Sequence, residues 1–597
     1  MKFSKFQPSS PAKNALPKIL KKISFWLSFL AIFLLITDLG FTHSHEIDQA
    51  LKFFYFTALF VGTASILTRY AFASRRFQLK VRIFDAVIIS LFALLIFIQI
   101  DGVLEMIPFL SFLNKMGWLY LALSVYFVRE FSEIQIGFNR EYLNPAQLFI
   151  MSFLLIIMVG TILLMLPKAT HEGLSLVDAL FTATSAVCVT GLIVVDTGTY
   201  FTQFGQIIIL ILIQLGGLGI MTFASYFSYF FRGKSSYENQ LMLKDITNSE
   251  KIGDVFGVLK KIVALTFIIE FFGAVFIFFT INKATISSIP QRIFFSVFHS
   301  ISGFCNAGFS TMENSLYEPE FRFNYPMQLI IAALFILGGI GFPILFNLFK
   351  YLKHNFRNRI LNLVHHEKAV YTPWILNLNT RIVLFTSFLL TVVGTALFFY
   401  FEYNNTLQEH SWFGKLVTSF FTATTPRTAG FNAVDMSALN FATLMVILLL
   451  MWIGASPAST GGGIKTSTFA IATLNFLSIA KGKDRVEVYR RELSALSIRR
   501  AFAIIALSLM VIGIAVFLIA SFDSEKSLLS IAFECFSAYS TVGLSVGITA
   551  KLSAASKLVI IATMFIGRVS MLSILIAIMR RVKHLNYKYP TEEILIN

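Results

Sequence analysis

The chain has 597 residues, is 56% hydrophobic and only 14% charged, and has a mean hydropathy of +0.74. Soluble domains carry roughly a quarter charged residues, so a soluble fold is excluded and a polytopic helical membrane protein fits. The net charge of +17 does not point to nucleic acid, because the basic residues gather in short loops between apolar runs, where they mark the cytoplasmic side.

Met1–Lys22 is basic and lacks a small-residue cleavage site after a short apolar stretch, so no cleavable signal peptide is expected. Four apolar runs follow, at Ile23–Phe41, Leu51–Phe72, Ile83–Ile100 and Ile107–Phe127, the last interrupted by Asn114 and Lys115. Further on, apolar runs come in pairs: Ala146–Leu166 with Phe204–Phe231, Ile262–Ile281 with Met327–Leu348, Ile382–Tyr400 with Phe441–Ile453, and Ala501–Ala520 with Leu558–Met579. Basic clusters at Lys2–Lys22, Arg75–Arg82, Arg232–Lys261, Lys350–Arg381, Lys481–Arg500 and Arg580–Lys583 are all cytoplasmic if even numbers of spans separate them, with the N-terminus inside. Each pair then leaves and re-enters on one side, and the link between its two runs lies outside.

Those links repeat. Phe181–Leu192, Phe298–Phe309, Phe420–Phe431 and Phe533–Leu544 align without a gap: a Phe stands ten residues before a Gly, and Ser185, Ser302, Thr424 or Ser537 six before it. The glycines are Gly191, Gly308, Gly430 and Gly543. A second register falls 24 to 30 residues later, inside the second run, with Gly216, Gly338, Gly454 and Gly567 in common. The reading is an all-α membrane protein of four helix–pore loop–helix units, bounded at 145–257, 258–379, 380–497 and 498–597, with residues 1–144 as an N-terminal extension of about four helices. Units with two spans all point the same way, so they relate by rotation about the membrane normal rather than by the in-plane axis of inverted-repeat carriers. Pseudo-fourfold symmetry would then bring the four outer glycines to one central pore.

A desolvated cation must recover its hydration energy from oxygen atoms, and backbone carbonyls provide them without a full charge. Lining a narrow axis with carbonyls needs unusual backbone angles, which Gly adopts without steric cost. The Phe-to-Ser stretches read as short re-entrant helices whose C-terminal dipoles face the ion. For the inner glycines a second reading stands beside this one: Gly-rich patterns also allow close helix packing.

The third unit departs after Gly454. Ala455, Ser456, Pro457, Ala458, Ser459, Thr460, Gly461, Gly462 and Gly463 cannot continue a helix, so a loop in the inner pore is expected, either a movable gate or a static break. In the fourth unit the same register carries Arg568. An unpaired Arg at this depth is costly, so it should meet either the Gly461–Gly463 loop or an acid, Glu270 or Glu534. Cys188, Cys305, Arg427 and Ser540 share the position three before the outer Gly, where small-residue packing competes with a soft-metal site made by two thiols. His365 and His366 lie in a basic loop and read as a solvated face. A membrane enzyme would need paired intramembrane carboxylates, and the spans offer chiefly Glu270.

Thr190–Gly198, Asn306–Ser310, Thr425–Asn432, Ser456–Thr466 and Phe565–Val569 resemble the Trk/Ktr/HKT superfamily of potassium transporters, most closely the bacterial Ktr/Trk ion-translocating subunits, over the chain from about residue 145. The resemblance implies a potassium selectivity filter at Val189, Thr190, Gly191, Asn306, Ala307, Gly308, Thr428, Ala429, Gly430, Thr541, Val542 and Gly543. The ion would be held by the carbonyls of Thr190, Gly191, Ala307, Gly308, Ala429, Gly430, Val542 and Gly543. It further implies a third-unit gating loop contacted by Arg568, a homodimer in the cytoplasmic membrane, and nucleotide control through a separate RCK-type ring; no covalent cofactor is implied. Related plant transporters with Ser at the first filter glycine favour sodium, so Gly191 supports potassium, with sodium conduction or coupling as the alternative and an alternating-access carrier as the reading from another class. The N-terminal extension departs from the bacterial pattern.

Overall fold

The computed structural model describes residues 11–72, 79–98, 113–114, 116–131, 145–219, 255–282, 285–365 and 375–578. The cluster Arg580–Lys583, His366 and the far half of the run Phe204–Phe231 lie outside the described residues.

Among the described residues four helices form the N-terminal bundle: α1 (Pro11–Gly40), α2 (His45–Phe72), α3 (Leu79–Ile98) and α4 (Met116–Phe131). The last begins nine residues after the start of the apolar run assigned to it, beyond Asn114 and Lys115. The bundle has its own core around Tyr55, Phe92, Leu119 and Tyr126. Its buried carboxylates are matched internally. Arg129 Nε lies 2.6 Å from Asp85 Oδ1 and Arg69 Nη2 lies 2.5 Å from Glu130 Oε2, while Tyr55 and Tyr120 both donate to Asp38 Oδ2, at 3.2 and 2.9 Å. Charges in hydrocarbon survive only when paired and hydrogen-bonded.

The remainder is built from helix–short helix–helix units: α5 (Pro145–Leu164), α6 (Leu176–Val187) and α7 (Gln203–Leu218); α8 (Val255–Thr280), α9 (Ile289–Phe304) and α10 (Tyr325–Ile340), continued by α11 (Phe342–His365); α12 (Leu378–Glu402), α13 (Trp412–Thr424) and α14 (Phe441–Trp452), continued by α15 (Thr466–Ala480); α16 (Ala495–Phe522), α17 (Leu528–Ser540) and α18 (Ala554–Val569), continued by α19 (Met571–Ile578). A two-residue-strand hairpin, β1 (Glu487–Val488) and β2 (Arg491–Glu492), pairs antiparallel between α15 and α16.

Sequence sets where the short helices start. Ser175, Ser411 and Ser527 accept from the backbone N–H three residues on, at 3.2 Å in each case, a cap that contributes about 1 kcal/mol; the α9 start carries Pro290 instead. Among the described residues six helices are long and apolar enough to cross a membrane, three of them being α8, α12 and α16, which turn Phe279, Phe388 and Phe517 outward.

The second helices correct the reading of continuous apolar runs. α7, α10 and α18 each end two residues after Gly216, Gly338 or Gly567, and the next residue has positive φ: Gly219 (76°), Gly341 (91°) and Ser570 (74°). A positive φ breaks the helical repeat, although Gly219 N and Ser570 N still close on Leu215 O and Ile566 O, at 3.0 and 2.8 Å. Between α10 and α11 the bend is 104°.

Candidate functional site: a ring of backbone carbonyls above a plug

The four short helices converge at their C-termini. In three of them the chain leaves through the same left-handed cap. Thr190, Ala307 and Val542 donate their amides to the carbonyls of Ser185, Ser302 and Ser537, five residues back, at 2.8, 2.8 and 2.9 Å. The residue before each is left-handed: Val189 (φ 56°), Asn306 (61°) and Thr541 (51°). In the third unit Thr428 (φ 76°) takes that place, and Ala429 N bonds to Thr425 O at 2.9 Å. The next glycines, Gly191, Gly308, Gly430 and Gly543, have φ of 89°, 70°, 77° and 92°. Two left-handed residues flanking one that is not swing successive carbonyls to one side of the chain, unlike the two-sided alternation of a strand.

That side faces a common axis. A Cβ placed on Gly191 would lie 2.4 Å from Ala307 O, one on Gly308 3.0 Å from Ala429 O, one on Gly430 2.5 Å from Val542 O, and one on Gly543 2.1 Å from Thr190 O. Each glycine therefore meets the carbonyl that precedes the glycine of the next unit, and the fourth returns to the first. The ring closes. A cavity of about 260 Å³ opens directly on it, lined by all four glycines together with Thr197, Glu313, Asn432 and Thr549.

Hydroxyls brace the ring from behind. Gly191 N and Gly543 N donate to Ser185 Oγ and Ser537 Oγ, both at 3.1 Å. Ser302 Oγ donates to Phe309 O at 2.6 Å. In the third unit the brace is Thr425, whose hydroxyl donates to Phe431 O at 2.8 Å, while Thr424 bonds back to Phe420 O at 2.7 Å. The sequence register pointed to Thr424; Pro426, which lacks an N–H, moves the end of this helix by one residue.

The inner glycines serve close packing. A Cβ on Gly216, Gly338 or Gly567 would stand 2.0, 2.0 or 1.8 Å from Val187 O, Phe304 O or Tyr539 O, each the carbonyl four residues before a ring glycine. Gly454 differs: its Cβ would meet Gly462 O at 2.5 Å, so the third unit fills this place with its own loop.

That loop, from Gly454 to Lys465, passes directly beneath the ring. Thr460 Oγ1 is 3.3 Å from the Asn306 amide. A Cβ on Gly461 would stand 2.0 Å from Thr428 Oγ1, and one on Gly462 2.3 Å from Thr541 Oγ1. Three consecutive loop residues thus touch the left-handed residue of units two, three and four in turn. The first half of the loop is bonded into the break of the second unit, with Ser456 N to Gly339 O at 2.9 Å and Phe342 N to Ala458 O at 3.3 Å; Pro457 O sits 2.5 Å from where a Cβ of Gly341 would be. Ser459 closes a local turn onto Ser456 O at 2.6 Å, and Gly463 (φ 68°) abuts Ser540. Ala455 and Ser456 are buried.

Two cations cover the loop's carbonyls. Arg568 donates to Thr460 O and, at 2.6 Å, to Gly216 O. Lys465 Nζ donates to Gly461 O at 2.7 Å and Gly462 O at 3.3 Å. Glu270 and Glu534, the acids considered for Arg568, are engaged elsewhere: Glu270 with Gln214 at 3.3 Å, Glu534 with Ser545 and with Thr549 at 2.8 Å. Lys465 was not among the sequence candidates; its signal is a cation two residues after the glycine run. Arg427 turns away from the ring to Thr391 Oγ1 (2.6 Å) and Ser387 O (3.2 Å) on α12. Cys188, Cys305 and Cys535 are buried free thiols, and no group of three or more metal-ligating side chains occurs among the described residues.

A family model described as "TrkH: Cation transport protein" matches residues 117–587. Ktr system potassium uptake protein B of Bacillus subtilis is 37% identical over 458 residues, 76% of this chain and 96% of that protein. Potassium/sodium uptake protein NtpJ of Enterococcus hirae is 34% identical over 470 residues, 76% of this chain and 98% of that protein. Among solved structures, the potassium transporter TrkH from Vibrio parahaemolyticus superposes with a TM-score of 0.57 at 16% identity, covering 84% of this chain and 96% of that one. The matched span contains the whole ring and plug, and with identity above a third across nearly the full length of these relatives, the chain belongs to the TrkH family of cation transport proteins, multi-pass membrane transporters rather than enzymes.

Proposed function

We propose that the protein takes up potassium across the cytoplasmic membrane, with the ring as its selectivity filter and the Ala455–Gly463 loop as its gate. The observation that carries this reading is the closed ring, in which the carbonyls of Thr190, Ala307, Ala429 and Val542 each face the neighbouring unit's glycine. With the carbonyls of Gly191, Gly308, Gly430 and Gly543 they form stacked oxygen layers that replace water around a dehydrated cation. The cavity on the ring would be the outer mouth, the basic loops would be cytoplasmic with the N-terminus, and the units would divide near residues 257, 379 and 497. The plug, held by Arg568 and Lys465, places two positive charges on the ion's path, which opposes cation passage until the loop moves. Homodimerisation and control by a separate nucleotide-binding RCK-type ring follow from kinship with Ktr and Trk subunits.

A second reading has a specific support: one relative is named a potassium/sodium uptake protein, so sodium is either a carried or a coupled ion. Uptake of potassium and of sodium by a host lacking its own potassium uptake separates the two. Potassium uptake that saturates without sodium supports the first, sodium-dependent uptake the second, and no flux of either ion overturns both. The gate fails as an idea if Arg568→Ala and deletion of 455–464 both leave flux unchanged.

A further inference from the structure

We infer that Asn306 is a positioning residue that ties the position of the plug to the ion occupancy of the ring. This rests on the reading of ring and plug just given.

Asn306 is fully buried at the first left-handed position of the second unit (φ 61°). One end of its amide is 3.2 Å from Thr428 Oγ1, in the third unit's stretch of the ring. The other end lies among Phe304 O at 3.2 Å, Phe335 O at 3.1 Å and Thr460 Oγ1 at 3.3 Å. Two carbonyls call for a donor, so the amide nitrogen faces the plug and the amide oxygen accepts from Thr428. A single side chain thereby joins the end of its own short helix, α10, a ring segment of another unit and a plug side chain.

The equivalent residues of the other units do less. Val189 has no side-chain polar atom, Thr428 reaches Asn306, and Thr541 Oγ1 finds no partner among the described residues. Asn306 is therefore the one residue of the four whose side chain bonds to a plug side chain among the described residues. Withdrawal of the plug removes Thr460 and leaves a buried amide with one partner fewer, beside a ring segment whose Thr428 hydroxyl it holds. Ions that favour one arrangement of that segment shift the plug by the same factor that plug position shifts ion affinity, because binding couplings are reciprocal.

The test uses the full-length protein in proteoliposomes, with rubidium uptake as the readout. Asn306→Leu keeps volume and removes the bonds; Thr460→Val keeps the carbonyl that Arg568 holds and removes only the hydroxyl. Each is expected to raise uptake about fivefold, the factor associated with one neutral hydrogen bond, and the double variant to rise no further. Thr460→Val, whose lost hydroxyl reaches Phe304 O at the end of α9 at 3.4 Å but no carbonyl of the ring itself, is also expected to lower the half-saturating rubidium concentration by up to about fivefold as the ion-competent fraction grows. A purely structural role for Asn306 does not move that constant. Multiplicative effects in the double variant, or an unchanged half-saturation in Thr460→Val, overturn the coupling; if Asn306→Leu does not fold, the half-saturation result alone decides. Wild-type protein that carries no cation overturns the proposed function instead, which keeps the two failures distinct.

Discussion

The N-terminal bundle and the ring region place charge inside the membrane in opposite ways. In the bundle each buried cation meets a carboxylate: Arg129 meets Asp85 at 2.6 Å and Arg69 meets Glu130 at 2.5 Å. Around the ring, Arg568, Lys465 and Arg427 rest on carbonyls and a hydroxyl, and none has an ion pair among the described residues. A full pair in low dielectric is a permanent strut, because either partner alone is costly. A cation on neutral carbonyls can be exchanged for water or another cation at much smaller cost. The bundle's charges are locked in pairs; those around the ring rest on neutral partners.

Six substitutions, one pair of them combined, break or sharpen this contrast. The largest effect falls on the neutral side, where backbone meets backbone. Gly567→Ala puts a methyl 1.8 Å from Tyr539 O, and we expect losses above about 5 kcal/mol, read as no recoverable folded protein. Gly513→Ala, with nothing within 4 Å, is the contrast: its yield and melting temperature should hold or rise. Next comes the strut. Arg129→Leu should lower stability by about 3–5 kcal/mol, and Asp85→Leu combined with it should restore most of the loss; thermal melts check both, with uptake per folded molecule unchanged. Smaller again, Ser185→Ala removes one brace behind Gly191 N and should cost about 1 kcal/mol, visible as a weaker preference for rubidium over sodium in competition uptake. Smallest is Asp178→Asn, which breaks a partly exposed 2.6 Å contact with Lys557 between the first and fourth units. It should cost less than about 1 kcal/mol and vanish at high salt.

Much of this was legible in the sequence because the ring depends on backbone. Glycine at a fixed offset after a Phe and a hydroxyl is a local pattern, and all four copies carry it in order. The breaks at Gly219, Gly341 and Ser570 were not legible, since hydropathy stays high across them and only a left-handed φ ends the helix. Thr425 displaced Thr424 because a neighbouring proline changes the end of one helix. The Asp85–Arg129 pair escaped notice because its partners are 44 residues apart and hydropathy treats each as an isolated penalty. The sequence offers Asn306 as a filter residue but neither its amide's link to the loop nor Lys465; both come from the loop's course beneath the ring, a tertiary relation that no spacing encodes.

The 104° bend after α10 also has a mechanical consequence. α11 begins at Phe342, whose amide bonds to Ala458 in the plug, and its 24 residues make a rod about 36 Å long. Each degree of rotation about that first residue sweeps the far end through about 0.6 Å, at 1.5 Å of rise per residue. A displacement of several ångströms at the basic end of the rod would therefore turn its first residue, which is bonded to the plug, by only a few degrees. The helix break has the geometry of a fulcrum, with the rod as the long arm.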